Sequence, residues 1–180
     1  MKVLICVEER GGTLFNGRRT SSDRNVSRDM LREAGSLLPE GRLLSPEAVM
    51  AEGKRLWISP FSKKLFRGKG DYLVIVDDPL QEASEDEAHD KRFMSGQTIT
   101  VFVEDLPLAP YEKDIQELVL YRWNRTYPFD RKLDIDLSQY RLTEKSELAG
   151  FSHDIITKER YIRKNDQTEG TSRKGGDEDD

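Results

Sequence analysis

The chain has 180 residues and a net charge of −5 at pH 7, with 36% hydrophobic and 35% charged residues. This length predicts one domain with a buried core, and the single cysteine, Cys6, excludes an internal disulfide bond. Since no apolar run approaches the roughly 18 residues of a membrane helix, we expect no membrane partner. A lone cysteine is typical of a reducing compartment, which favours a cytoplasmic location.

The last residues of the chain differ in composition from the rest. Residues 164–180 contain three basic and six acidic residues and no large apolar side chain. Such a segment cannot bury enough apolar surface to offset the entropy lost on ordering. We therefore predict a single α/β domain over residues 1–163 and a disordered acidic tail over residues 164–180. The acidic end would repel nucleic acid, so we expect no nucleic-acid partner.

The first elements of the chain are a strand, a loop and a helix. Residues 3–7 are apolar and rich in β-branched side chains, which predicts a strand buried on both faces. The polar segment 11–25 is interpreted as a long loop. A helix follows, with Ser27 as its N-cap, Asp29 in its first turn and Gly35 at its end.

Shorter elements fill the middle of the chain. The triplet Ser45-Pro46-Glu47 is a helix-start signal, because a cap, a proline and an acid follow in order. Residues 55–58 and 71–76 are predicted strands, and Ser59-Pro60 opens a short helix between them. Lys63 and Lys64 could meet an anion, but we interpret them as a solvated face of that helix. We interpret the charged residues 81–92 as an exposed loop or frayed helix.

The C-terminal block contains three further strands. Strands are predicted over residues 99–103 and 117–123 and in a last segment ending at Tyr161, with a short helix over residues 109–115. Strands that alternate with helices predict a mainly parallel α/β sheet. The last segments lack a long connection, so we expect the C-terminal strand to pair antiparallel.

Two regions of the sequence resemble dihydrofolate reductases. Residues 8–18 are similar to the glycine-containing loop that follows the family's first strand, and Tyr127-Pro128 with residues 135–142 resembles its C-terminal part. The resemblance spans residues 2–162. It implies a dihydrofolate-reductase-like sheet, a buried carboxylate that handles the pterin's proton, and a nicotinamide cofactor held at a glycine pair and at helix starts.

The residues that would carry this chemistry differ here. The family's carboxylate lies about nine residues beyond the position of Asn16, and Asn25 stands there, with Asp23 and Asp29 close by. Asp29 is also typical of an ordinary first-turn acid. The resemblance therefore implies Asp23 or Asp29 as the only nearby carboxylates for a catalytic role.

The cofactor motifs are also replaced. Glu104-Asp105 stands where the family has its glycine pair, and carboxylates there would repel a phosphate and block close approach of the backbone. Residues 59–62 replace the family's phosphate-binding turn. We therefore expect no cofactor, with NADPH retained only if the protein is a divergent reductase.

A second resemblance connects residues 14–24 and 121–128 with a group of small bacterial proteins that are sometimes named ribonuclease Z. Ribonuclease Z is a two-zinc hydrolase that needs a cluster of histidines. This chain has two histidines, His89 and His153, which are 64 residues apart. The name is not supported by these residues, and we predict no metal site.

Arginines in the segment after the first strand form the candidate ligand site. Arg18, Arg19, Arg24 and Arg28 cluster here and, with Asn16, would rim the cleft at the carboxyl end of that strand, where α/β sheets bind ligands. The arginine fork suits phosphate or carboxylate. The open alternative is a solvated loop in which the arginines pair with neighbouring acids.

One further constellation is Ser152-His153-Asp154, which places three catalytic residue types together. Adjacent residues of a strand point to opposite faces, so these three cannot form a catalytic triad by themselves. We interpret them as structural or surface residues.

Three functional hypotheses follow. The first is a dihydrofolate-reductase-fold protein with a remodelled cleft that binds a small anionic ligand, a nucleotide or pterin-like molecule, through Arg18, Arg19 and Arg24. The second is a divergent NADPH-dependent reductase that uses Asp23 or Asp29. The third is a non-catalytic interaction or regulatory protein that uses an edge strand and the acidic tail. The sequence leaves open whether any reaction is catalysed.

Overall fold

The computed structural model of the protein describes residues 1–89 and 97–165. The predicted disordered tail lies, from residue 166 onward, outside the described residues. None of the helices in the described part of the chain combines the length and the apolar character needed to cross a bilayer.

Ten strands form two sheets in the described residues. In chain order the strands are β1 Lys2–Val7, β2 Gly12–Phe15, β3 Arg18–Arg19, β4 Leu56–Ile58, β5 Leu73–Ile75, β6 Thr100–Phe102, β7 Glu117–Arg122, β8 Arg131–Lys132, β9 Tyr140–Ala149 and β10 Ile155–Arg163. The larger sheet has the order β5-β4-β6-β1-β7-β10-β9, and the smaller one the order β3-β2-β8.

The strands of the larger sheet run parallel, except at the edge that contains the C-terminal strand β10. Strand β1 pairs in parallel with β6 and β7, and β4 pairs in parallel with β5 and β6. Strand β10 runs antiparallel to both β7 and β9. The predicted α/β class, with a mainly parallel sheet and an antiparallel C-terminal strand, is therefore confirmed.

Helices cover both faces of this sheet. The α-helices are α1 Arg24–Ala34, α2 Pro46–Ala51 and α3 Pro79–His89, and 3-10 helices span Pro60–Phe66, Gly70–Tyr72, Ala109–Asp114 and Leu137–Gln139. One core lies between the sheet and α1, and contains Leu4, Phe102 and Tyr121 from the strands. The other core contains Val3 and Leu118 and includes Leu80 of α3.

The predicted long loop over residues 11–25 is wrong for its first half. Strands β2 and β3 form a hairpin in which Leu14 pairs with Arg19. Asn16 (φ 49°) and Gly17 (φ 68°) supply the left-handed conformations that a two-residue hairpin turn requires. Because the Leu14 side chain is buried, the hairpin is also fixed by packing.

Helix α1 begins earlier than predicted. Asp23, not Ser27, is its N-cap, and the Asp23 carboxylate accepts a hydrogen bond from the amide of Asn25. The predicted end at Gly35 (φ 91°) is confirmed. The Ser45-Pro46 helix start is also confirmed, since Ser45 caps α2.

The charged segment after β5 is a helix rather than a loop. Helix α3 begins at Pro79 and is placed by Leu80 and Ala83, which are buried in the core. The prediction over residues 81–92 therefore holds as a helix to His89, and residues 90–92 lie outside the described residues.

A cluster of ion pairs joins α1 to the sheet. Glu33 of α1 contacts Lys2 of β1 (3.0 Å) and Lys158 and Arg160 of β10 (2.5 Å each). Burial opposes the negative charge of Glu33, but the hydrogen bonds from Arg160 and Lys158 outweigh it and lower the pKa of Glu33 to about 2. This carboxylate therefore stabilises the docking of α1 in its ionised form.

Substituting Glu33→Gln should destabilise the protein at pH 7 by about 2 kcal/mol, because Lys158 and Arg160 lose a buried partner. A lowered folded-state pKa stabilises the fold above the ordinary pKa of 4.5, and this stabilisation is lost as pH falls towards 2. Urea unfolding at several pH values should therefore show the gap between wild type and variant closing below about pH 4.5.

The matched control is Glu147→Gln, which alters an exposed glutamate of β9. This variant should unfold like the wild type at every pH. A gap for Glu33→Gln that does not change between pH 7 and pH 3 would contradict the assigned role of the Glu33 charge.

Candidate functional site

A cleft with a volume of about 750 Å³ lies beside the start of α1. Its other walls are the segment from Leu37 to Leu43, the 3-10 helix Pro60–Phe66 with the residues that follow it, and the turn between β9 and β10. In the chain, α1 comes after β3, and the helix Pro60–Phe66 comes after β4. The volume matches that of small-molecule sites in proteins.

Positive charge dominates the walls of this cleft. Its cationic side chains are Arg24, Arg28, Lys64, Arg67 and Lys69. Within the described residues, none of these five cations forms an ion pair with a carboxylate, although Arg28 donates a hydrogen bond to the Gly41 carbonyl (2.8 Å). The cleft therefore presents unneutralised positive charge.

The floor of the cleft is apolar. Leu31 and Leu37 are buried there, and Phe66 and Leu65 continue the apolar surface from the 3-10 helix. At the opposite rim, the Arg24 guanidinium lies 4.3 Å from the centre of the exposed Phe151 ring. Charged groups at the edge and apolar groups at the base suit a ligand with an anionic end and an apolar body.

The acid of this region, Asp23, is engaged by the protein itself. Its buried carboxylate accepts hydrogen bonds from the amides of Asn25 (2.9 Å), Phe151 (3.0 Å), Ser152 (2.9 Å) and His153 (3.2 Å). Burial alone would raise the pKa of Asp23, but these amides and the His153 side chain hold it well below its usual range. Asp23 is therefore an ionised acceptor that fixes the β9–β10 turn to α1.

His153 connects Asp23 to a serine. Its Nδ1 lies 3.0 Å from Asp23 Oδ2, and its Nε2 lies 2.9 Å from Ser21 Oγ. The imidazole stacks on the Trp123 ring, with centroids 4.8 Å apart, and the Tyr127 hydroxyl lies 3.4 Å from Nε2. His153 is itself buried, so packing fixes the orientation of its ring.

The two residues next to His153 in sequence differ in their contacts with this group. Ser152 Oγ lies 3.1 Å from Asp23 Oδ2 and 3.2 Å from His153 Nδ1, while Asp154 is exposed. A serine, a histidine and an aspartate do meet here, but the serine and the aspartate come from residues 21 and 23. Sequence reasoning missed this group because its members are separated by 130 residues.

Asp29, the other candidate acid, lies on the inner side of α1. Its carboxylate accepts from the Tyr121 hydroxyl (2.7 Å) and pairs with Lys158 (2.7 Å) and Arg32 (3.1 Å). It lines neither the large cleft nor the recess beside β3. Burial and the Asp29 carboxylate raise the pKa of Tyr121 well above its usual range, so Tyr121 stays neutral.

The remaining predicted ligand residues lie elsewhere. Asn16, Arg18 and Arg19 line a separate recess of about 440 Å³ beside Tyr127. Arg19 pairs with Glu104 through its Nε atom (2.9 Å), and Arg18 is exposed. Of the four arginines predicted to cluster, the structure thus places Arg24 and Arg28 in the large cleft and Arg18 and Arg19 outside it.

The acids after β6 bridge to the turn after β4. Glu104 accepts a hydrogen bond from Ser62 Oγ (2.7 Å), and Asp105 accepts one from Ser59 Oγ (2.9 Å). These four side chains occupy the two places where the resemblance implied a glycine pair and a phosphate-binding turn. Negative charge and side-chain bulk therefore lie together at the ends of β4 and β6.

Three cleft cations were not predicted from sequence. Lys64 was interpreted as part of a solvated helix face, and Arg67 and Lys69 follow in the turn after that helix. The basic run over residues 63–69 was the available signal. Among residues 1–89 and 97–165, no three histidine, cysteine or acidic side chains converge to hold a metal ion.

Substituting Asp23→Ala should destabilise the protein by about 3 kcal/mol or more, because buried amides of the β9–β10 turn lose their acceptor and α1 loses its cap. Thermal or urea unfolding followed by circular dichroism measures the loss. Asp154→Ala, an exposed acid of the same turn, is the control and should change stability by less than about 0.5 kcal/mol. Equal losses in both variants would contradict this account.

The chain matches no protein-family model, and a search of curated protein sequences returned no match.

Proposed function

We propose that the protein binds a small organic anion in the basic cleft beside α1, within a sheet that we interpret as dihydrofolate-reductase-like. The observation that supports this most directly is the set of five cations without carboxylate partners among the described residues, arranged above an apolar floor. Arg24, Arg28, Lys64 and Arg67 are exposed and Lys69 is half-buried, yet all five line one concave volume. A bound anion would neutralise several of them at once.

The chemistry of the walls restricts the ligand. Arg24, Arg28 and Arg67 offer planar donor groups that suit a phosphate or a carboxylate, and Lys64 and Lys69 add point charges. The apolar floor suits a planar ring or a short apolar chain. A nucleotide monophosphate or a pterin-like carboxylate combines both features in a volume that the cleft accommodates.

Binding of adenosine 5′-monophosphate and of pterin-6-carboxylate should be tested by isothermal titration and by thermal shift. At least one of the two should raise the melting temperature, since a ligand that binds only the folded state stabilises it. The double variant Arg28→Gln/Arg67→Gln should weaken binding by about tenfold or more, and added salt should weaken wild-type binding.

The control for this experiment is Arg18→Gln, which removes a cation from the separate recess. Its affinity for the same probe should stay within about twofold of the wild type, because Arg18 lies outside the cleft. A probe that binds the double variant as tightly as it binds the wild type, or the absence of any binding at millimolar concentration, would overturn the proposed function.

NADPH should give no thermal shift at millimolar concentration in Arg28→Gln/Arg67→Gln, because Glu104 and Asp105 place negative charge beside the turn after β4. The measurement is the same thermal-shift assay, with adenosine 5′-monophosphate as reference. A saturable NADPH shift that persists in Arg28→Gln/Arg67→Gln would instead favour the divergent reductase, because the cofactor would then bind outside the basic cleft.

A further inference from the structure

The hydrogen-bonded chain Ser21–His153–Asp23 is not explained by anion binding in the cleft. None of its three side chains supplies positive charge to the cleft wall as the five cations do. These hydrogen bonds instead connect a half-buried hydroxyl, a buried imidazole and a buried carboxylate in series. This order of groups is the one by which proteins activate a serine hydroxyl.

The carboxylate decides which imidazole nitrogen carries the proton. Asp23 is held in its ionised form, so it can only accept a hydrogen bond from His153 Nδ1, 3.0 Å away. The Nδ1–H tautomer leaves the Nε2 lone pair free to accept the Ser21 Oγ proton over 2.9 Å. Nε2 is thereby positioned as a general base for the Ser21 hydroxyl.

Packing holds this arrangement in place. The Trp123 ring stacks against the imidazole, and the backbone amide of His153 donates to the same Asp23 oxygen that faces Nδ1. The competing partner of Nε2, the Tyr127 hydroxyl, is more distant at 3.4 Å. The Ser21 hydroxyl is therefore the nearer partner of the two.

An independent observation is an unpaired, buried hydrogen-bond donor on Trp123, the residue that stacks on the His153 imidazole. Trp123 is 2% exposed, and its indole Nε1–H has no hydrogen-bond partner among the described residues. An unpaired buried donor is uncommon in folded proteins and costs free energy. Trp123 and Ser21 line the same small cavity of about 10 Å³, which is the space taken by roughly one water-sized group.

We infer that Ser21 is a nucleophile for acyl transfer from carboxylic esters, with His153 as general base, Asp23 as a positioning residue and the Trp123 Nε1–H as a donor to the substrate oxygen. Ser21 Oγ forms a bond to the ester carbonyl carbon while its proton moves to His153 Nε2. The bond from carbon to the alcohol oxygen then breaks, and the alcohol leaves with the proton from Nε2. Water hydrolyses the acyl-serine by the same steps, which restores Ser21 and releases the acid.

The direct test is labelling of the full chain with diisopropyl fluorophosphate. Ser21 Oγ would form a bond to phosphorus, fluoride would leave, and the hydroxyl proton would pass through His153 to water. Mass spectrometry should show one adduct per chain, mapped to Ser21. Ser21→Ala should show no adduct, and Ser146→Ala, an exposed serine of β9, should label at the wild-type rate.

Two further variants separate the roles of the neighbours. His153→Gln should slow labelling by about a hundredfold or more, because the base is lost. Trp123→Phe keeps an aromatic ring for stacking and removes the N–H, and should slow labelling by about tenfold to a hundredfold. Circular dichroism and unfolding curves confirm that each variant is folded at the labelling temperature.

A spectroscopic measurement tests the positioning role of Asp23. With ¹⁵N-labelled histidine, the chain should give two imidazole signal sets, and His89→Gln identifies that of His153. The His153 signals should show the Nδ1–H tautomer at neutral pH, and Asp23→Asn should shift them towards a tautomer mixture while slowing labelling. An Nε2–H tautomer in the wild type would overturn the assignment of His153 as base.

The outcomes are distinguishable from failure of the proposed function. Diisopropyl fluorophosphate is uncharged, so labelling at Ser21 and anion binding in the basic cleft can succeed or fail independently of each other. Absence of any adduct on the folded wild type, an adduct that persists in Ser21→Ala, or unchanged labelling in His153→Gln would overturn the inference. Unchanged labelling in Trp123→Phe would overturn the assignment of Trp123 as a donor.

Discussion

The basic cleft depends on the hydrogen bonds that the buried Asp23 carboxylate accepts. This carboxylate caps α1 and simultaneously binds successive amides of the β9–β10 turn, which lies at the far edge of the sheet from β5. Phe151 and Ser152, which that turn contributes, form one wall of the basic cleft. A carboxylate with this many donors stays charged inside the protein, so the wall is fixed by electrostatics as well as by packing.

The acidic and basic side chains of helix α1 lie on different sides of the helix. Asp29 and Glu33, four residues apart, face the cations of β10, while Arg24 and Arg28, also four residues apart, face the cleft. Since Asp29 and Glu33 are engaged with Lys158 and Arg160, they do not neutralise Arg24 and Arg28 of the same helix. The positive potential of the cleft therefore follows from the way the helix docks on the sheet.

The parts of the fold that follow from local pattern could be predicted from the sequence. The apolar runs gave β1, β6 and β7, and Ser45-Pro46 marked a helix start, because strand periodicity and capping depend on neighbouring residues. Asn16-Gly17 is a recognisable turn signal for a hairpin, but the polar residues around it predict a loop. The resemblance to dihydrofolate reductases stays a prediction about family.

The candidate site could be predicted only in part. Arg24 lies in the cleft, but its grouping with Arg18 and Arg19 depended on which way the hairpin turns each side chain, and a charge pattern does not contain that information. Asp23 meets His153 only because β10 returns antiparallel beside β7. Contacts of this kind depend on tertiary structure, which single-sequence patterns do not encode.

The contact between Asp23 and His153 also determines when the candidate site can form during synthesis of the protein. The donors to Asp23 are separated from it by about 130 positions, so this carboxylate has none of its turn partners until most of the chain has left the ribosome. Long-range contacts of this kind close a large loop and form late in folding. A nascent chain that ends before the β9–β10 turn would contain the first strand and α1 but neither the wall formed by Phe151 and Ser152 nor the His153 imidazole. The Asp23 contacts that fix this wall therefore form only after the β9–β10 turn has been synthesised.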